Sequence, residues 1–131
     1  MDYQQATEYI EYLACADQKR PGLPSLQRMQ TFLSYYSLPQ NAFNSLHVGG
    51  TNGKGSTVAI IDSILRSSEL KIGRFTGPHI LRINERFHIN GKPMPDNDFA
   101  QLVSLIKTYS EQFANLYPDL GSLSWFEFLT D

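Results

Sequence analysis

The residues best suited to chemistry lie in a glycine-rich segment, residues 49–56, which reads Gly-Gly-Thr-Asn-Gly-Lys-Gly-Ser. Glycines let the backbone curl so that successive N–H groups point inward at phosphate oxygens. Lys54 supplies a mobile ammonium group for terminal phosphates, and the hydroxyl of Ser56 or Thr57 can reach a Mg²⁺ ion. The segment therefore predicts a site for the phosphate chain of a nucleotide.

The segment differs at two positions from the G-x-x-x-x-G-K-[ST] pattern of P-loop kinases and GTPases. Counting back from Lys54, Val48 replaces the first glycine of the pattern, and Gly55 stands where serine or threonine should follow the lysine. A kinase or GTPase is therefore disfavoured. A glycine-rich turn with an incidental lysine is a further alternative, but the elements on either side favour nucleotide binding.

The elements around the segment predict a βαβ unit of a parallel sheet. A short apolar run at 46–48 leads directly into the glycines, and a second predicted strand covers 72–75. Between them an apolar stripe with helical spacing contains Val58, Ile61, Ile64 and Leu65. Strand, glycine-rich turn, helix and strand follow the order of a βαβ unit. A doubly wound domain has about five or six strands, so the predicted sheet is unfinished.

Helices are predicted on both sides of this unit. Asp2 and Gln5 resemble a capping box at the start of a first helix, and Ser25 can cap a second. Beyond the unit, Asn-Gly at 90–91 predicts the turn of a small hairpin, and Asp96 can cap a long helix.

Composition and charge narrow the class of protein. The chain has 131 residues, of which 41% are apolar, as expected of a small globular domain or a piece of a larger one. It contains no run near the roughly 20 apolar residues that span a bilayer and no signal-peptide pattern, so we expect a cytoplasmic protein without a membrane partner. Seven bases against three acids between 46 and 92 leave a local charge of +4, which favours an anionic ligand. The bases lack the clustering of a nucleic-acid-binding surface, so no nucleic-acid partner is expected.

Four motifs, in order and near the same spacing, resemble those of folylpolyglutamate and dihydrofolate synthases, a branch of the Mur ligase superfamily. Residues 47–56 are similar to the signature H-V-x-G-T-N-G-K-G-[ST]. Residues 76–79, with 84–87 and Gly91 behind them, are similar to T-S-P-H-L…E-R-…G. Residues 26–29 resemble G-L-x-R-[MI], and residues 125–130 resemble Y-F-E-[FY]-x-T.

The resemblance implies an α/β fold, namely a partial P-loop-type, three-layer parallel-sheet domain like the Mur ligase central domain, preceded by two N-terminal helices. Residues 1–42 would form the helical N-terminal segment, and residues 43–131 an incomplete P-loop α/β core. The whole of 1–131 would then be the N-terminal part of a Mur-ligase-like ATP-binding domain. The family's C-terminal glutamate-binding domain is expected to be absent.

The resemblance also implies the reaction and its partners. Members of the family are ATP-dependent ligases that add L-glutamate to dihydropteroate or folates through an acyl phosphate, in folate biosynthesis and polyglutamylation. ATP and Mg²⁺ are the implied cofactors, and dihydropteroate or tetrahydrofolate species, L-glutamate and ATP are the implied small-molecule partners. A full-length member is expected to be monomeric. The chain by itself is expected to be inactive, and the alternative function is a non-catalytic nucleotide-binding or interaction module from a truncated gene.

Individual site residues follow from the matched motifs. The implied contacts to the ATP phosphates, with Lys54 also in the catalytic role, are Gly50, Thr51, Asn52, Gly53, Lys54, Gly55 and Ser56. The segment implied to contact the pterin-bearing substrate consists of Ser124, Trp125, Phe126 and Glu127, whose aromatic pair is suited to stacking on a flat ring. The family's serine that helps to hold Mg²⁺ is replaced here by Gly77, so Thr76 or Ser56 is the expected metal ligand.

Overall fold

The computed structural model describes residues 1–19 and 25–130. These residues fall into two compact units. The sheet unit is Asn44–Phe99, and the helical unit is made of the described residues of Met1–Phe43 and Ala100–Asp131. The break predicted between residues 42 and 43 lies close to one boundary of these units, and the assignment of the two parts to domains stays a prediction.

The helical unit contains α1 (Tyr3–Lys19), α2 (Leu26–Tyr35), most of α4 (Asp96–Leu116) and α5 (Trp125–Thr130). Its core is made of apolar side chains from all four helices and from the segment before α5. The ring centroids of Phe32 and Phe113, both fully buried, lie 5.3 Å apart in an edge-to-face arrangement. Burial of one such side chain contributes about 1.5–3 kcal/mol. The other buried apolar residues include Ala6, Ile10, Val103, Ile106, Leu123, Phe128 and Leu129.

The starts of the first two helices are as predicted. The N–H of Gln5 donates to Asp2 Oδ1 at 2.8 Å, and the N–H of Asp2 donates to Gln5 Oε1 at 3.0 Å, which confirms the capping box. The hydroxyl of Ser25 accepts the N–H of Arg28 at 3.2 Å and so caps α2. Both caps satisfy backbone donors that a helix leaves without an internal partner.

The sheet unit contains α3 (Lys54–Arg66) and a three-stranded antiparallel sheet of β1 (Gly73–Phe75), β2 (Phe87–Ile89) and β3 (Lys92–Pro93), in the order β1-β2-β3. A 3₁₀ turn, Ile83–Arg86, precedes β2. Asn90 and Gly91 have φ values of 50° and 78°, as a tight turn that matches the twist of a hairpin requires. This confirms the predicted hairpin.

The predicted βαβ pairing is not made. Residues 46–48 form no strand, and β1 pairs antiparallel with β2, so that Phe75 faces Phe87 and Gly73 faces Ile89. A strand exists only with a hydrogen-bonding neighbour, and within the described residues β2 is the neighbour that β1 has. The helices and sheet remain an α/β arrangement, but the predicted parallel pairing of 46–48 with 72–75 is not formed among the described residues.

The start of α4 differs from the expected cap at Asp96. The carboxylate of Asp96 accepts from Arg82 Nη2, at 2.8 Å to each oxygen, and from Asn84 Nδ2 at 3.1 Å. The N–H of Phe99 instead bonds to the carbonyl of Pro95 at 3.0 Å. Asp96 therefore ties the helix start to the 3₁₀ turn. Among the described residues, none of the helices is both long and apolar enough to cross a membrane.

Candidate functional site

The glycine-rich loop owes its shape to two glycines with left-handed backbones. Gly53 is the N-cap of α3 with φ 76° and ψ 2°, and Gly50 has φ 138°. A side-chain Cβ built at either residue would meet no atom within 4 Å. Backbone conformation, and not lack of space, is therefore what favours glycine at these two positions.

The first turn of α3 presents backbone N–H groups at the surface. Because Gly53 has no side chain, no side-chain cap covers these groups, and every residue of 49–57 is exposed. The first amides of a helix have no partner inside the helix, and the helix dipole adds partial positive charge at the same place. This arrangement favours an anion.

The ammonium group of Lys54 lies across the loop. Its Nζ donates to the carbonyl of Gly50 and, at 3.3 Å, to the carbonyl of Thr51. The cation therefore lies beside the first turn of α3, where an anion held by that turn would meet it. The role of Lys54 in binding phosphate stays a prediction.

The hydroxyl groups of the loop are not equivalent. Thr57 Oγ1 donates to the carbonyl of Gly53 at 2.8 Å, so it is engaged within the first turn of α3. Ser56 is exposed on the same turn, and its hydroxyl is suited to join a Mg²⁺ ion that arrives with nucleotide phosphates. Thr76, the second predicted metal ligand, is half-buried directly after β1, and its N–H donates to the carbonyl of Arg86 at 2.9 Å.

The hydrogen bond from the N–H of Thr76 to the carbonyl of Arg86 joins the two ends of the segment 76–86, and a carboxylate within the segment stabilises its backbone. Glu85 accepts the N–H groups of Ile80, Leu81 and Arg82 at 2.8, 3.1 and 3.0 Å. The hydrogen bond from Ile80 is the largest cause that lowers the pKa of Glu85, and those from Arg82 and Leu81 act in the same direction. One side chain therefore fixes three successive amides.

Gly77 faces the guanidinium group of Arg86. A Cβ built at Gly77 would lie 2.5 Å from Arg86 Nη1 and 3.3 Å from Cζ. Arg86 Nε in turn donates to His79 Nδ1 at 2.9 Å, and burial lowers the pKa of Arg86 from its ordinary value. A side chain at position 77 would therefore require the guanidinium group, the flexible end of Arg86, to move. In 1–19 and 25–130, no group of three or more His, Cys, Asp or Glu residues is placed to hold a metal ion.

In the predicted substrate segment, 124–127, two polar side chains are buried and the two aromatic side chains are at least partly exposed. Ser124 and Glu127 form a capping box, because Ser124 N–H donates to Glu127 Oε2 at 2.8 Å and Glu127 N–H donates to Ser124 Oγ at 3.3 Å. Glu127 is 1% exposed. Phe126 is 50% exposed. Trp125 is half-buried, and its backbone N–H donates to the carboxylate of Asp17. The rings are the part of this segment with surface left for a ligand.

The site residues thus occur in both units. The phosphate-loop residues, Thr76 and Gly77 belong to the sheet unit, whereas 124–127 belong to the helical unit. Sequence reasoning missed the roles of Glu85 and Arg86, although the E-R pair of the second motif is the signal that could have drawn attention to them. It also missed Asp62, which is buried in α3 and pairs with Arg74 at 3.1 Å and Arg66 at 3.3 Å. The spacing of Asp62 and Arg66 by four residues was its signal.

Comparison with known proteins supports the motif resemblance. A scan of protein-family models found no match. The chain is 37% identical over 107 residues to the dihydrofolate synthase/folylpolyglutamate synthase of Bacillus subtilis, covering 82% of this chain and 24% of that protein. It superposes on the folylpolyglutamate synthetase of Lactobacillus casei with a TM-score of 0.84, at 33% identity, over 99% of this chain and 31% of that one. The predicted resemblance is confirmed over the part that the chain spans, because its curated relatives and structural neighbours are folylpolyglutamate and dihydrofolate synthases.

The superposition on a protein with the Mur ligase fold confirms the predicted α/β fold class. The chain spans about a quarter of the length of the curated synthases that it matches. A structure of Mycobacterium tuberculosis folylpolyglutamate synthase complexed with ADP and AMPPCP superposes with a TM-score of 0.77 at 30% identity, over 98% of this chain and 28% of that one. A further synthase structure, which holds AMPPCP and folate, superposes with a TM-score of 0.83 at 32% identity, over 99% of this chain and 30% of that one.

Proposed function

We propose that this chain supplies the nucleotide-phosphate site of an ATP-dependent ligase that adds L-glutamate to dihydropteroate or folates. The observation that carries the proposal is the left-handed N-cap at Gly53, which opens the first turn of α3 beside the ammonium group of Lys54. The names of the relatives and the AMPPCP in two related structures support ATP as the nucleotide.

Lys54 has the central role in this proposal. Its ammonium group now bonds to two carbonyls of its own loop, and phosphate oxygens would replace these neutral acceptors with charged ones. The loop N–H groups and Lys54 would stabilise the charge that develops as a phosphoryl group passes to the substrate carboxylate. The reaction uses no side-chain nucleophile in this proposal, so positioning and charge neutralisation are the contribution of the protein.

Mg²⁺ is proposed as the second cofactor. When bound, it would neutralise charge on the phosphate oxygens. Ser56 and Thr76 remain the two proposed ligands, and the guanidinium group of Arg86 beside Gly77 favours Ser56, because a divalent cation next to a fixed positive charge is repelled.

The segment 124–127 is proposed to contact the pterin ring of the substrate. Phe126 and Trp125 would offer their ring surfaces, while Ser124 and Glu127 hold the start of α5 in place. The small-molecule partners would be dihydropteroate or tetrahydrofolate species, L-glutamate and ATP. We further propose that the full protein is a cytoplasmic monomer without a nucleic-acid or membrane partner, and that this chain alone does not complete the reaction.

ATP binding by the 131-residue chain tests the proposed phosphate site. We expect saturable binding by titration calorimetry, weakened at least about tenfold in Lys54→Ala, because a charge-assisted contact contributes about 1.5–3 kcal/mol. Lys71→Ala is the matched control, since Lys71 is an exposed lysine outside the loop. Equal affinity in the two variants, or no binding by the parent chain, would refute the proposal.

A chimera tests the ligase function. In this chimera, the chain replaces the matching 31% of the Lactobacillus casei synthetase. We expect ATP-dependent addition of L-glutamate to a folate, and a loss of about 10²–10³ in kcat when Lys54 is changed to alanine. A folded chimera that binds ATP but never forms the amide would favour the non-catalytic nucleotide-binding module.

A further inference from the structure

Asp62 is a buried carboxylate that joins α3 to the sheet. It is 4% exposed, and it lies in the helix that begins at the phosphate loop. Its Oδ2 accepts from Nη1 of Arg74, in β1, at 3.1 Å. Nε of Arg66 lies 3.3 Å from Oδ1 without forming a hydrogen bond. Arg74 is therefore the partner that orients the carboxylate.

The pair of Asp62 and Arg74 contributes geometry more than stability. Burial removes the hydration of both charges, and apolar side chains of similar volume are often as favourable in such a place. Apolar contacts have no preferred direction, whereas a hydrogen bond between a guanidinium group and a carboxylate has a defined length and angle. The pair therefore fixes where α3 lies along β1.

The contacts of α3 also set its direction. Arg66, one turn after Asp62, lies beside the hairpin turn, since a Cβ built at Gly91 would be 2.7 Å from Nη1 of Arg66. In the same turn, the N–H of Asn90 donates to the carbonyl of Ile72, the residue before β1, at 2.8 Å. The N–H of Ile72 donates to Asn90 Oδ1, also at 2.8 Å. The end of α3 thus lies near the start of β1, and the two elements run in opposite directions.

The beginning of α3 and the end of β1 therefore lie at the same end of the sheet unit. Lys54, the first residue of α3, is eight residues before Asp62, which corresponds to about 12 Å of helix. Thr76 follows β1, two residues after Arg74. Because backbone hydrogen bonds hold the turns of a helix together, a shift of α3 at Asp62 would also move the phosphate loop relative to 76–79.

We propose that Asp62 is a positioning residue, which through Arg74 fixes the phosphate loop beside residues 76–79. This inference rests on the proposed function, because the phosphate loop is the site that Asp62 positions. Asp62 acts through α3 and does not touch the nucleotide. The loop and 76–79 are on different elements, so their separation depends on the contact between those elements. A displacement of about 1 Å in such an arrangement can lower a rate about 10²-fold.

Paramagnetic broadening of amide signals measures this placement in the ¹⁵N-labelled 131-residue chain. The probe is ATP with Mn²⁺, and ATP with Mg²⁺ is the diamagnetic reference, because broadening by Mn²⁺ decreases steeply with distance. In the parent chain, we expect broadening of the loop signals, 50–57, and of the signals of 76–79. In Asp62→Asn and in Arg74→Met, the loop signals should still broaden, whereas the broadening of 76–79 should decrease relative to that of the loop.

Two further variants separate positioning from a general loss of structure. Arg74→Lys keeps a cation for Asp62, so it should retain the pattern of the parent chain. Glu69→Gln is the matched control, because it removes an exposed carboxylate of the same unit, and it should retain the pattern as well. The amide signals of the paired strands β1 and β2 show whether each variant is folded.

The outcomes distinguish this inference from the proposed function. Loop signals that do not broaden in the parent chain, or that broaden equally in Lys54→Ala, would refute the proposed function. With a loop that binds ATP, the positioning role is overturned if 76–79 do not broaden in the parent, or if Asp62→Asn and Arg74→Met both keep the parent pattern. Equal decreases in Arg74→Lys or Glu69→Gln would also overturn it. If neither Asp62→Asn nor Arg74→Met folds, the pair is required for the fold itself, and the proposal fails.

Discussion

The carboxylate of Glu127 accepts the backbone N–H of Ser25 at 2.7 Å, although 102 positions separate the two residues. The same carboxylate accepts the N–H of Ser124 at 2.8 Å and pairs with Arg28 at 3.4 Å. One buried side chain therefore joins the start of α2 to the start of α5. In this way a residue expected to contact substrate also holds the helix that carries Phe126.

The first prediction concerns this buried carboxylate. Glu127→Gln should destabilise the helical unit by about 3–5 kcal/mol, because it leaves the Arg28 cation without its partner in a buried place. Unfolding in urea, followed by the fluorescence of Trp125, the single tryptophan of the chain, measures the change. Glu111→Gln is the control: Glu111 is 63% exposed at 3.9 Å from Lys107, so its loss should cost no more than about 0.5 kcal/mol. Equal stabilities of the two variants would contradict the role of Glu127.

The second prediction compares two glycines of the phosphate loop. Gly53→Ala should cost about 1–2 kcal/mol, because alanine is strained at a φ of 76°. Gly55→Ala should be neutral or stabilising by up to about 1 kcal/mol, since Gly55 lies in the first turn of α3, its Cβ would meet no atom within 4 Å and alanine favours the helix. Hydrogen exchange of the α3 amides measures both changes. Greater protection in Gly53→Ala than in Gly55→Ala would show that the left-handed N-cap is not needed.

The third prediction is a dependence of stability on pH. Burial lowers the pKa of His88 from 6.5, and Arg74 lowers it further, while Asp62 and Glu85 oppose the shift. The unfolded chain therefore binds the His88 proton more readily than the folded chain. The contribution of His88 to the free energy of unfolding should be fully present above pH 6.5 and should decrease as the pH falls below that value. Glu85, with its lowered pKa, adds a second loss in the same direction below pH 4.5.

Hydrogen exchange of the β2 amides at pH values on either side of 6.5 checks this dependence. His88→Gln should remove the decrease just below that pH and leave the acid loss from Glu85 in place. His47→Gln, which changes an exposed histidine, should behave like the parent chain. An unchanged pH profile in His88→Gln would assign the dependence to other groups.

The fourth prediction separates two phenylalanines of α5. Phe128 is 5% exposed and its ring lies 5.5 Å from that of Tyr9, so Phe128→Ala should cost about 3–5 kcal/mol. Phe126 is 50% exposed, so Phe126→Ala should cost no more than about 1 kcal/mol. In the chimeric synthetase, Phe126→Ala should raise the KM for the folate substrate while leaving the KM for ATP unchanged. A normal folate KM would exclude Phe126 from the substrate site.

Features that depend on neighbouring residues could be predicted from the sequence. The Asp2–Gln5 capping box and the Ser25 cap form within three or four positions, and the Asn90-Gly91 turn follows from the tolerance of these residues for positive φ. The start of α3 at the glycine-rich loop has the same local cause. In each case the partners are adjacent in the chain, so residue types and spacing contain the necessary information.

Features that depend on distant partners were decided by the tertiary structure. The antiparallel pairing of β1 with β2, in place of a parallel pair with 46–48, depends on which segment supplies hydrogen-bonding groups beside β1. From the sequence, Gly77 could be interpreted only as the loss of a hydroxyl group. The contact between Gly77 and the guanidinium group of Arg86 depends on the folded structure. The same holds for Glu127, whose carboxylate bonds to Ser25 and Arg28, because hydropathy periodicity carries no information about which polar groups become buried together.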